Sequence, residues 1–93
     1  AELRAGLAAV PDDASLHHAL GLALVRLKRM PEALRELARA AALAPDNVRF
    51  AYVYAVALHS AGRRADALKE LDRALTRHPD ERELRAARAE IAR

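Results

Sequence analysis

Pro-Asp pairs recur at Pro11-Asp12, Pro45-Asp46 and Pro79-Asp80, each 34 residues after the last. A fixed period of this length is the mark of a repeat architecture, in which each unit is one supersecondary element stacked on its neighbour. Laying residues 12–45 on 46–79 without a gap gives eleven identities, among them Ala23/Ala57, Leu24/Leu58, Ala33/Ala67, Leu37/Leu71 and Ala40/Ala74. The same shift places Glu2-Leu3 on Glu36-Leu37, and Leu84 and Ala87 on Leu16 and Ala19. The expected organisation is therefore the tail of a preceding repeat over 1–10, whole repeats over 11–45 and 46–79, and a closing piece over 80–93. That last piece is either a capping helix or the start of a further repeat.

Each repeat reads as two helices. Asp12 or Asp13 caps a first helix whose Leu16, Leu20, Leu24 and Leu27 recur at helical spacing. Pro31 suits the first turn of a second helix, and Pro45 stops it. In the next repeat Asp46 or Asn47 is the cap, and Phe50, Tyr54, Ala57, Leu58 and Ala61 form the apolar stripe. Gly62 is placed to end that helix in the left-handed conformation. Asp80 with Glu83 resembles a capping box for a final helix. The predicted helices cover about 14–28, 31–44, 48–61, 65–78 and 80–92.

Composition agrees with helices alone. Ala occurs 24 times and Leu 15, against 5 Val, 1 Ile and 1 Thr, a helix-forming and strand-poor usage. The heavy use of Ala and Arg is that expected of a GC-rich bacterial genome. With no Cys, thiolate metal sites, disulfides and thiol nucleophiles are excluded, and cytoplasm and periplasm are equally allowed. The net charge of +3 comes from 16 basic and 13 acidic residues interleaved along the chain. Runs such as Glu32-Arg35-Glu36-Arg39 pair such charges on solvated helix faces rather than making a basic stripe. Neither nucleic acid nor a membrane is an expected partner.

The 34-residue spacing resembles the tetratricopeptide repeat over nearly the whole chain. The family pattern wants a small residue midway along the first helix, here Gly21 and Ala55. It also wants Ala early in the second helix (Ala33, Ala67), a bulky apolar residue four later (Leu37, Leu71), another Ala (Ala40, Ala74) and a closing Pro (Pro45, Pro79). Its Trp near the start of the first helix is His17 and Ala51 here, and its late Tyr is Leu24 and Leu58. The resemblance implies an all-α superhelix, an α–α solenoid of antiparallel helix pairs.

No chemistry for catalysis is legible. Gly6, Gly21 and Gly62 are scattered, Ser15 and Ser60 lack a nucleophile setting, and no acid–base constellation has a third orienting group. His17 and His18 are adjacent, so they diverge by about 100° on a helix and do not share a metal. His17 reads as a packing residue, and His78 as a complement to the negative end of its helix. Neither metal nor cofactor is expected.

The expected function is a binding surface. The resemblance implies that first helices line a concave groove for an extended or helical peptide. Its groove positions fall on Ser15, His18, Leu22, Val25 and Arg26, then on Arg49, Tyr52, Val56, His59 and Ser60, and on Glu83, Ala86 and Glu90. Leu22, Val25 and Val56 serve either that groove or packing between helices. Tyr52 is a rigid amphipathic anchor, and Arg49 can fork onto a carboxylate. Some family members clamp a C-terminal carboxylate with Lys and Asn, but the matching places hold His18, Leu22, Tyr52 and Val56. That function is not carried over; an apolar or mixed segment with one anionic group fits better. Alternatives are a structural spacer, a self-association element, or assistance in a secretory or cofactor-assembly pathway. Leu3, Leu7 and Val10 lack a partner helix in the sequence, so the N-terminal end reads as a cut surface of a longer array, open to self-association.

Overall fold

The computed structural model describes residues 13–93, all of whose regular elements are helices. These are α1 (Ala14–Arg26), α2 (Met30–Leu43), α3 (Val48–Ser60), α4 (Arg64–Arg77) and α5 (Arg82–Ala92). The expectations for residues 1–10 lie outside the described residues. The chain divides after Ala44 into two compact units.

In the first unit α1 and α2 form an antiparallel hairpin. Asp13 starts α1 by accepting the Leu16 N–H at 3.1 Å, which satisfies one of the free donors of the first turn. Ala33, Leu37 and Ala40 of α2 are almost wholly buried, and Leu20, Leu24 and Ala33 form a cluster against which Val25 packs. The small residues set the helix separation. A Cβ on Gly21 would lie 2.6 Å from Leu37 Cδ2, so the two helices close up where α1 carries no side chain.

Two breaks in the register end the first helices sooner than periodicity predicts. Lys28, at φ 60°, occupies the left-handed region, so α1 stops at Arg26 and not at residue 28. The Lys28 and Arg29 N–H groups then donate to Val25 O and Leu24 O, both at 2.9 Å. The second unit repeats this closure at Gly62, at φ 80°, with Gly62 N to His59 O at 3.0 Å and Arg63 N to Leu58 O at 2.9 Å. Both are Schellman stops.

In the second unit α3 packs on α4, and α5 packs on both. Asn47 caps α3 by accepting the Phe50 N–H at 3.1 Å. The core gathers Phe50, Ala51, Ala55, Leu58, Ala67, Leu71, Ala74, Leu84 and Ile91. α5 is fastened at its C-terminal end, where Arg64 donates to Ile91 O at 2.8 Å and Ala92 O at 2.7 Å, satisfying carbonyls the helix leaves free. Arg88 of α5 also pairs with Asp72 of α4.

Two expected helix ends differ. The Asp80–Glu83 capping box does not form: α5 begins at Arg82 with Glu81 as its N-cap, and the Glu81 side chain makes no capping bond. Position 81 is the register equivalent of Asp13 and Asn47, but the longer Glu side chain overshoots the donors that Asp and Asn reach. His78 lies just beyond α4 rather than in its last turn. Its Nε2 stands 3.3 Å from Pro45 O, which can only accept, so Nε2 carries the proton.

Candidate functional site

The residues of α3 that the resemblance assigns to a groove lie in the second unit. Arg49, Tyr52, Val56 and His59 fall at intervals of three and four, so they share a helix face. Arg49, Val56 and His59 are exposed and Tyr52 is half-buried. The start of α5 comes up against the N-terminal half of this face. There a depression of about 230 Å³ is lined by Val48, Arg49, Tyr52, Glu81 and Glu83.

Three of the expected groove residues, Arg49, Tyr52 and Glu83, are thus brought together. Val56 and His59 lie further along α3, outside the depression, and Val56 remains 39% exposed. Val48 and Glu81 were not anticipated. Glu81 could have been found from the register, because 13, 47 and 81 are equivalent positions. Val48 carries no such signal.

In the first unit the expected residues of α1 separate into two kinds. Ser15 and Arg26 are exposed and Leu22 is half-buried. His18 is only 9% exposed, and Val25 packs on the Leu20, Leu24 and Ala33 cluster. Burial leaves His18 little surface to offer a ligand, and Val25 is half-buried.

A second depression, of about 410 Å³, lies between α3 and α4 and was not anticipated. It is lined by Tyr54, Arg63, Asp66, Lys69, Glu70 and Arg73. Burial, and then the negative charge of Glu70, push the Tyr54 phenol above its ordinary pKa. Asp66 is paired with Arg63 at 2.7 Å and Glu70 with Arg73. Both carboxylates are therefore engaged, and no nucleophile meets a base here.

Most of the remaining carboxylates are also paired. Glu32 receives both Nε and Nη2 of Arg29 at 2.7 Å, Asp46 meets Arg77 at 3.1 Å, and Glu90 lies 3.7 Å from Arg93. His17, 2% exposed, sets its Nδ1 2.7 Å from Glu36 Oε1. It is thus a buried packing histidine with a carboxylate partner. Among the described residues no group of three or more His, Asp or Glu side chains could hold a metal ion. No described helix is long and apolar enough to cross a membrane.

Antiparallel helix pairs joined by Schellman turns and closed by interlocking Ala and Leu define a helical-repeat protein. A family model described as tetratricopeptide repeat matches residues 24–91, most of the chain. The chain belongs to the tetratricopeptide repeat family, a non-catalytic scaffold fold that mediates protein–protein interactions. No curated protein matches it significantly.

Proposed function

We propose that this chain is a non-catalytic interaction module that receives a peptide or protein segment in a concave groove lined by its first helices. The observation that carries this reading is the depression collecting Arg49, Tyr52 and Glu83 between α3 and the start of α5. Tyr52 offers a half-buried ring with a polar tip, the kind of side chain that dominates interface energy. Arg49 is exposed and unpaired, so its fork is available to a carboxylate on the ligand. Val56 and His59 extend the surface along α3. In the first unit, taken by itself, Ser15 and Arg26 are exposed on α1 and Leu22 is half-buried. An apolar or mixed segment suits this lining.

The test is affinity capture with the protein, repeated with Arg49→Ala and Tyr52→Ala. Truncating Tyr52 is expected to cost about 1–2 kcal/mol of binding while leaving the melting temperature unchanged. Binding that survives both substitutions would reject the groove. A lowered melting temperature with binding intact would instead favour a structural spacer or a self-association element.

A further inference from the structure

The carboxylates of the described residues divide unevenly. All but three side chains are held in an ion pair or a helix cap. The three without a partner, Asp80, Glu81 and Glu83, are nearly consecutive, and two of them line the depression beside Tyr52. Arg49 shares that depression but forms no ion pair with either Glu81 or Glu83. A pocket with two free carboxylates and one free guanidinium is net acidic, on a chain whose net charge is +3.

The geometry points to a specific occupant: the side chain of a Lys or Arg on the partner segment, seated between Glu81, Glu83 and the Tyr52 ring. This inference rests on the groove reading and names what the groove selects. At about 230 Å³ the depression is below the roughly 300–1,000 Å³ of small-molecule sites, so it suits one side chain. A long cationic side chain matches the lining along its length. Its methylenes lie on Val48 and the Tyr52 ring, its charge meets the carboxylates, and the ring face adds a cation–π attraction. Arg49, the remaining cation, disfavours a partner with several adjacent basic residues and favours one basic residue flanked by an acid. Replacing the Glu81 side chain removes no capping hydrogen bond, since it makes none.

The experiment is a selection from a displayed library of random twelve-residue peptides. The enriched peptides are then titrated into isotope-labelled protein and followed by amide shifts. The expected result is enrichment of a single Lys or Arg at a fixed place, with shifts at residues 48–52 and 81–84. In a Glu81→Gln/Glu83→Gln double variant, affinity should fall about tenfold, as expected for two exposed ion pairs. Asp66→Asn, which removes one charge outside the depression, should leave affinity unchanged. Rising salt should weaken binding to the wild type more than to the double variant. Peptides that bind on α3 without a basic residue, or whose affinity survives the double variant, would overturn the cation inference and leave the groove standing. If no enriched peptide shifts α3, both readings fall.

Discussion

The α1–α2 and α3–α4 hairpins share one 34-residue register, yet at three matched positions they hold different residues. The helix crossing is closed by Gly21 against Leu37 in the first, and the matched residues of the second, Ala55 and Leu71, are both fully buried. The turn takes its left-handed residue from Lys28 in the first and from Gly62 in the second. Beside the conserved spacing of the second helix, Glu36 is held by buried His17, whereas the second hairpin has Ala51 there and Glu70 is held by Arg73. The open depression next to Tyr54 belongs to the second arrangement. The fold therefore accommodates different residues at matched positions, and each difference can be tested by swapping one residue across the register.

The largest effect is expected where the hairpins agree. Ala33 and Ala67 both have no exposed surface, so Ala33→Leu or Ala67→Leu forces extra methylenes into a closed contact at a cost of about 1–3 kcal/mol. Urea unfolding measures it, and an unchanged midpoint in either variant would reject that helix pairing. Next comes Gly21→Ala, which gives the first hairpin the residue of the second. Ala favours the helix by about 1 kcal/mol over Gly. However, its Cβ would stand 2.6 Å from Leu37 Cδ2 and 3.3 Å from the Leu37 backbone N. Leu37 is 1% exposed and has little room to retreat. Overpacking outweighs propensity, and a net loss of about 1 kcal/mol is expected. A gain in stability would mean that the two crossings are interchangeable.

The turns give a smaller, signed pair. A Cβ on Gly62 meets nothing within 4 Å, so Gly62→Ala isolates the backbone cost of the left-handed conformation, about 1 kcal/mol of destabilisation. Lys28→Gly relieves that cost in the first hairpin but frees the unfolded chain, so a smaller gain of about 0.5 kcal/mol is expected. Opposite shifts in melting temperature would confirm that both turns are the same motif under different strain. Shifts of one sign would break the equivalence.

These residues also show which parts of the structure were legible in the sequence. Helix pairing was readable because its causes are local and periodic: Asp or Asn caps, Pro stops, and Ala and Leu at fixed intervals. The early end of α1 was not, since nothing about a lysine announces a positive φ, whereas Gly62 announced its own. At α5 the Asp80–Glu83 spacing imitated a capping box, while the register placed the N-cap at 81. The true start depends on where α5 packs against α3 and α4 rather than on the tetrad. For the candidate site, the choice of Arg49 and Tyr52 came from the family resemblance, and helical spacing puts the two on one face. Its second wall, Glu81, required knowing where the next helix begins. His18 and Val25 showed the converse: a register position names a face but not how deeply a neighbouring side chain covers it.

The smallest effect concerns the ion pair between α5 and α4, which has no counterpart among the described residues of the first unit. Arg88 holds the Asp72 carboxyl below its ordinary pKa of 3.8, chiefly through their hydrogen bond. A carboxylate whose pKa is depressed in the folded state stabilises the fold above its unfolded pKa, and that contribution is lost as pH falls through the folded value. The Asp72 contribution is therefore constant from neutral pH down to about 4 and disappears below it. Arg88, whose own pKa is raised by the same hydrogen bond, stays charged throughout this range and adds no slope. Other carboxylates also titrate in acid, so the quantity to measure is the difference between the wild type and Asp72→Asn. Urea midpoints from pH 7 to 2.5 should show a small gap that closes below pH 4. The same gap should shrink in 0.5 M salt, because both side chains are about half accessible to solvent and are screened. A gap independent of both pH and salt would show that Asp72 acts through its packing on α4 and not through the charge it offers Arg88.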